Sequence, residues 1–268
     1  MNKPTEDDEA AIEATKAPLM DHLIELRKRL IWSIVAFVIC FGICFYFARE
    51  IYAFLTLPLA HVLKDSPNNH LIATGLTETF FTYAKVGAFG GLCLAFPVIA
   101  AQLWMFIAPG LYRHERNAFL PFLLATPFLF ALGAAFVLYV MMPFAITALN
   151  AFNKPGEFGG LGIQLLPRVS EYLDFVTTLI LAFGLTFQMP VLFALLGRVG
   201  ILGAAQLRSA RRFAWVGITA VAAIITPPDV FSMISLLVPL VALYEISILL
   251  VALIERDRSK KDAAARAT

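Results

Sequence analysis

A chain of 268 residues with 60% hydrophobic residues, 15% charged residues and a mean hydropathy of +0.79 is too apolar for a water-soluble enzyme or a disordered chain. Its formal charge of +2 is too small for a nucleic-acid binder, so a polytopic membrane protein is the class that fits. The three cysteines, Cys40, Cys44 and Cys93, sit inside apolar runs, which gives neither a disulfide framework nor a metal-ligand spacing.

Residues 1–19 are acidic and Ala-rich, without the basic start, short apolar core and cleavage site of a secretory signal, and they read as a mobile cytoplasmic tail. The first uninterrupted apolar run, residues 30–48, is about 28 Å long as a helix and matches a hydrocarbon core of about 30 Å. Residues 51–63 are apolar but short and interrupted by Pro58, which predicts an interfacial helix. Further runs at 80–108, 118–142, 172–197, 213–225 and 230–254 bring the candidate spans to six, within a membrane domain over residues 20–254. Residues 255–268 form a basic cytoplasmic tail.

The fifth run reaches only about 20 Å, a length common among re-entrant segments, and flanking charge decides its fate. If all six runs cross, one side receives sixteen Lys and Arg residues and the other only Arg49, Lys64, Lys154 and Arg168. That asymmetry is the positive-inside pattern, and a re-entrant fifth run would send the basic C-terminal tail to the wrong side. Both termini are therefore expected in the cytoplasm. A short fifth helix joined to the sixth through residues 226–229 (Thr-Pro-Pro-Asp) requires local thinning of the bilayer or a recessed turn. Prolines at 97, 121, 127, 143, 190 and 239 predict a bent bundle, set against the ordinary enrichment of Pro in membrane helices. No inverted repeat of the transporter kind is visible.

The sequence holds no phosphate loop, HExxH, GxSxG or EF-hand pattern, so no catalytic residue, metal site or cofactor is expected. Ionisable groups at membrane depth are costly, which singles out Lys85 and Glu245, with the amide of Gln188 as a polar third. Lys85 lies near enough to the end of its run to snorkel outward. Glu245 lies near the middle of the sixth run, where a functional or partner-facing role stands beside a buried hydrogen bond. Glu25 and Arg29 are spaced i,i+4, whose plain reading is a surface ion pair worth a few tenths of a kcal/mol. The loop 106–116 again sets one carboxylate, Glu115, among basic groups, and its plain reading is also local pairing.

Five stretches carry a wider likeness: HLIELRKRL (22–30), GLTETFFTYAK (75–85), FPVIAAQLWMFIAPGLYRHER (96–116), AFGLTFQMPV (182–191) and TPPDVFS (226–232). In this order they closely resemble the TatC family, the multispanning subunit of the twin-arginine (Sec-independent) protein translocase. The resemblance implies an all-α, concave bundle of six transmembrane helices in the bacterial cytoplasmic (inner) membrane, with short fifth and sixth helices joined by a tight turn. It also implies that the chain is no enzyme, receives the twin-arginine signal peptides of folded cargo, and exports that cargo on the proton motive force.

In such proteins acidic groups on the cytoplasmic face meet the signal's arginines, and the matching residues here are Glu25 and Glu115, with Phe106 and Pro109 in the same loop motif. The chemistry suits the task, because a guanidinium fork takes a carboxylate two-pronged and a lysine cannot. The resemblance places docking of TatA-type and TatB-type single-span subunits beside Thr226, and implies self-association and contact with membrane lipid. It also marks a departure, since the position of Gln188 is often Glu in the family. The competing class is an ion-coupled small-solute secondary transporter with Lys85 and Glu245 in one midplane site, weakened by their different depths.

Overall fold

The computed structural model describes residues 6–62, 71–107, 120–151, 168–225 and 230–267. The order is α1 (Glu6–Tyr46), α2 (Ala48–Val62), α3 (Glu78–Ile107), α4 (Leu120–Phe136), a π-helical turn (Val137–Met141), α5 (Met142–Ala151), α6 (Val169–Thr186), α7 (Met189–Val199), α8 (Ala204–Ser209), α9 (Arg211–Ile225) and α10 (Val230–Ala267). Among the described residues the β-type pairing amounts to one isolated parallel bridge, Ile72 with Arg168. The architecture is all-α, as the apolar runs require: a backbone in hydrocarbon must satisfy its polar groups internally, and a helix does so within one segment.

Among the described residues five helical segments are long and apolar enough to cross a membrane: His22–Tyr46, Glu78–Phe106, Leu123–Thr147, Val169–Arg198 and Leu236–Asp257. The fifth apolar run forms α9, whose 15 residues reach about 22 Å. Both charged ends of the chain continue the terminal helices, α1 from Glu6 and α10 to Ala267. The segment expected at 51–63 is α2, which tolerates Pro58 and buries Ala48, Leu55 and Leu59. The Tyr172 hydroxyl donates to the Leu55 carbonyl at 2.9 Å and fastens α2 to α6.

Two irregularities in the helices follow from proline. Pro143 lacks an N–H, and the turn just before it widens into a π-helix, with the Met142 N–H reaching back to the Val137 carbonyl. Pro190 stands at the start of α7, where it cannot donate to Thr186, and the fourth run breaks there. The break is bridged by Phe187 N–H to Phe183 O at 2.8 Å and by the tighter Gln188 N–H to Leu185 O at 3.0 Å. Pro97, Pro127 and Pro239 lie inside helices that continue through them.

The core gathers around α6, where Val176 and Phe183 are fully buried, and continues into Val137 and Met142 of the α4–α5 span and Leu236 of α10. A second cluster joins Trp104 of α3 to Val191 and Leu195 of α7, and a third joins Leu207 of α8 to Tyr244 and Ile248 of α10. Helix α1 stands to one side, with Trp32, Val38 and Ile39 more than half exposed. It is held by close approach to α3: a Cβ on Gly91 would lie 2.7 Å from the Phe41 Cα and one on Gly87 would lie 3.0 Å from the Phe45 Cα. Small residues four apart on a membrane helix let backbones meet in this way.

Candidate functional site

Glu25 and Arg29 lie one turn apart on α1, ahead of the exposed apolar stretch. Arg29 Nη2 donates to Glu25 Oε1 at 3.1 Å, and the two side chains keep 28% and 31% of their surface exposed. The ion pair read from the i,i+4 spacing is present. Arg29 Nη1 crosses to α3, donating to Gln102 Oε1 at 3.2 Å and lying 3.4 Å from Met105 Sδ. One turn earlier on α1, His22 stacks on Phe106 with ring centroids 4.4 Å apart. Glu25 and Phe106 are thus brought to one end of the bundle, where α1 meets the last turns of α3. Glu115, Pro109 and Thr226 lie outside the described residues.

The intramembrane groups fall elsewhere and apart from one another. Lys85 Nζ donates to both oxygens of Asp174 on α6, at 2.9 and 2.8 Å, with both side chains more than half exposed. Glu245 on α10 accepts from Arg211 Nη2 at the start of α9. The single midplane site imagined for the transporter class does not form, because each of its two residues is paired with a different helix. Asp174 and Arg211 escaped the sequence reading. For Asp174 the signal was depth: it stands about one and a half turns from the start of α6, and Lys85 about two turns from the start of α3.

Gln188 sits in the break between α6 and α7. Its Nε2 donates to the Thr126 carbonyl at 3.0 Å and lies 3.4 Å from the Gly184 carbonyl, while its buried Oε1 has no partner. Trp104 Nε1 donates to Thr126 Oγ1 at 3.2 Å, so α3, α4 and the break form one polar seam. At the other end of α3, Glu78 is a further residue the sequence did not flag. Its Oε2 accepts the Thr74 N–H at 2.6 Å and the Gly75 N–H at 3.0 Å, and its Oε1 accepts the Ser170 hydroxyl at 2.7 Å. The neighbouring Val169 N–H donates to the Ile72 carbonyl at 3.1 Å.

Among the described residues no group of three or more His, Cys, Asp or Glu side chains could hold a metal ion. Outside the five spans, burial raises the Tyr52 hydroxyl above its usual range, with Tyr83 adding to the effect, so it stays protonated. A groove of about 610 Å³ opens between α1, α2, α3 and α4, lined by Cys44, Phe54, Phe89, Cys93 and Phe130 among other apolar groups. It offers surface for apolar contact and no converging polar chemistry.

The geometry joins a half-exposed carboxylate to an apolar, many-spanning bundle, and comparison with known proteins gives that combination a family. The family model for Sec-independent protein translocase protein (TatC) matches residues 21–239. The chain is 44% identical over 252 residues to the Sec-independent protein translocase protein TatC of Magnetococcus marinus, covering 94% of this chain and 90% of that one. It is 40% identical over 238 residues to the TatC of Escherichia coli (strain K12), covering 89% of each. A crystal structure of the twin arginine translocase receptor TatC superposes with a TM-score of 0.74 at 40% identity, covering 87% of this chain and 99% of that one. The chain belongs to the TatC family and is a subunit of a twin-arginine, Sec-independent protein translocase.

Proposed function

We propose that the chain is the receptor subunit of its translocase and reads twin-arginine signal peptides with Glu25 and Glu115. The observation that carries this reading is the partly exposed Glu25 one turn from His22, whose stack on Phe106 seats this end of α1 on the last turns of α3. A carboxylate there is exposed enough to be reached. Phe106 and Pro109, in the same loop motif as Glu115, take part in holding the signal, whose apolar segment then lies along the bundle. Binding, orientation and release are the tasks of such a subunit, and no catalytic step is assigned to it.

The remaining topology follows from charge. Six crossings, with α9 as the short fifth, put both tails and the Glu25 end on the basic, cytoplasmic side of the bacterial inner membrane. The six-helix domain at 20–254 is concave in this reading, with tails at 1–19 and 255–268. TatA-type and TatB-type single-span subunits dock beside Thr226, which follows the short α9 in sequence, where mismatch with the bilayer is greatest. Further copies of the chain and membrane lipid complete the assembly, and the proton motive force drives export.

The test is capture of a labelled twin-arginine signal peptide by the full chain in vesicles, compared with Glu25→Ala and Glu115→Ala. A hydrogen bond to a charged group contributes about 1.5–3 kcal/mol, so each variant should bind about tenfold more weakly or worse. Both variants should still insert. Unchanged capture in both removes the assignment.

A further inference from the structure

Arg29 has a contact set that the reading above leaves unused. One N–H of its guanidinium reaches Glu25 Oε1 at 3.1 Å, another reaches Gln102 Oε1 at 3.2 Å, and its Nε is buried without a partner. A guanidinium facing a carboxylate usually engages it with two parallel N–H groups. Here the fork is divided between a carboxylate on α1 and an amide on α3, so the hold on Glu25 is single-pronged. We propose that Arg29 is a built-in stand-in for the cargo's arginine, holding Glu25 until a cation from the signal displaces it and so setting an affinity threshold common to all cationic signals. The proposal rests on the reading of Glu25 as a signal-binding carboxylate.

Three features make the exchange workable. An i,i+4 pair on a half-exposed helix face is weak, so Glu25 is not locked. Arg29 keeps its bond to Gln102 and its neighbour Met105 after leaving Glu25, which gives the displaced cation a place to rest. The stack of His22 on Phe106 holds α1 to α3 through the exchange.

The contact that is lost is the same whichever cation arrives, so its cost falls on both and leaves their ratio alone. Preference for arginine comes from the two-pronged grip a guanidinium makes on the carboxylate, which the point charge of a lysine does not. The internal competitor instead sets a threshold that any cationic signal must pass.

The experiment compares paired-arginine and paired-lysine versions of one signal peptide, binding to the full chain in vesicles by fluorescence anisotropy. Removing this weak i,i+4 competitor in Arg29→Gln should tighten both peptides by a similar factor, about twofold, and leave the arginine-to-lysine ratio unchanged. Arg29→Lys, which keeps a cation beside Glu25 and decides the matter if the glutamine variant does not fold, tightens both by a smaller factor. Affinities for both peptides that equal or fall below those of the unaltered chain overturn the proposal, and so does a gain confined to one of them. Glu25→Gln binding both peptides as the unaltered chain does brings down the assignment of Glu25 itself, a result separate from any change at Arg29.

Discussion

The two ends of α3 each bring a carboxylate between helices, and they treat it in opposite ways. At the first turn, Glu78 takes hydrogen bonds from Thr74, Gly75 and Ser170, which closes the segment before α3 onto the start of α6. At the last turns, Glu25 of the neighbouring α1 is held by one N–H of Arg29, and that same arginine carries a buried Nε with no partner. A carboxylate whose acceptor sites are filled by the chain itself has nothing left for a ligand. One with a single, weak, replaceable contact can exchange it. The first end is built as a clamp and the second as a site, although both carboxylates are glutamates.

The largest effect on this contrast should come from separating α1 from α3. The Cβ of any residue at 91 would meet the backbone of Phe41 at 2.7 Å, and a flexible neighbour cannot relieve a clash with main chain. Gly91→Leu should therefore destabilise the fold by about 1–3 kcal/mol or more, as overpacking does. It should also scatter the group formed by Glu25, Arg29 and Gln102. Signal capture and the thermal midpoint should fall together. Loss of capture with an unshifted midpoint would show that α1 carries the site without needing its seat on α3.

A smaller and more selective effect should separate clamp from site. Glu78→Ala should lower the thermal midpoint by leaving the Thr74 and Gly75 N–H groups and the Ser170 hydroxyl without their acceptor, while folded molecules capture signals as before. Glu25→Ala should do the reverse. Limited proteolysis near residues 74 and 75 together with peptide binding on the same samples checks both. If Glu78→Ala reduced capture per folded molecule as strongly as Glu25→Ala, the two ends would be coupled and the contrast drawn above would fail.

Length and hydropathy made the spans legible, because crossing a membrane is a requirement on consecutive residues. Of the runs at 30–48, 80–108 and 172–197, residues 30–46 fall in α1, 80–107 in α3 and 172–197 along the α6–α7 pair. Depth was legible for the same reason, and so Lys85, Gln188 and Glu245 stood out. What the sequence could not give was azimuth, the direction in which each residue points around its helix. The pairings of Lys85 with Asp174 and Glu245 with Arg211 depend on which helices are neighbours, and so does the seating of Gly87 and Gly91 against Phe45 and Phe41. The ion pair of Glu25 with Arg29 was legible because it is local, a matter of one helical turn. Its third member, Gln102, was not, since it comes from another helix. Proline was legible in kind but not in consequence: a π-helical turn precedes Pro143 and the helix breaks at Pro190, while the helices continue through Pro97, Pro127 and Pro239.

The smallest effect should come from the ion pair between Lys85 and Asp174, which joins α3 to α6 near the clamp end. Both oxygens are within 2.9 Å of Nζ, a geometry that suggests a strong tie. Exposure argues otherwise, since the side chains keep 59% and 53% of their surface accessible. If water reaches the pair, each ion has a good alternative partner, and a double-mutant cycle of Lys85→Met with Asp174→Asn should give a coupling of at most about 1 kcal/mol. Raising salt should reduce it further, because exposed charges are screened. If the same surface faces lipid headgroups or hydrocarbon, the alternative partner is missing, and breaking the pair by one substitution should cost several times more than breaking it by both. The size of that coupling, measured in vesicles and again in detergent, therefore reports where the membrane boundary falls on α3. A coupling well above 1 kcal/mol that is insensitive to salt would move Lys85 and Asp174 from the wet clamp end into the membrane and shorten the distance between the two regions that the glutamates define.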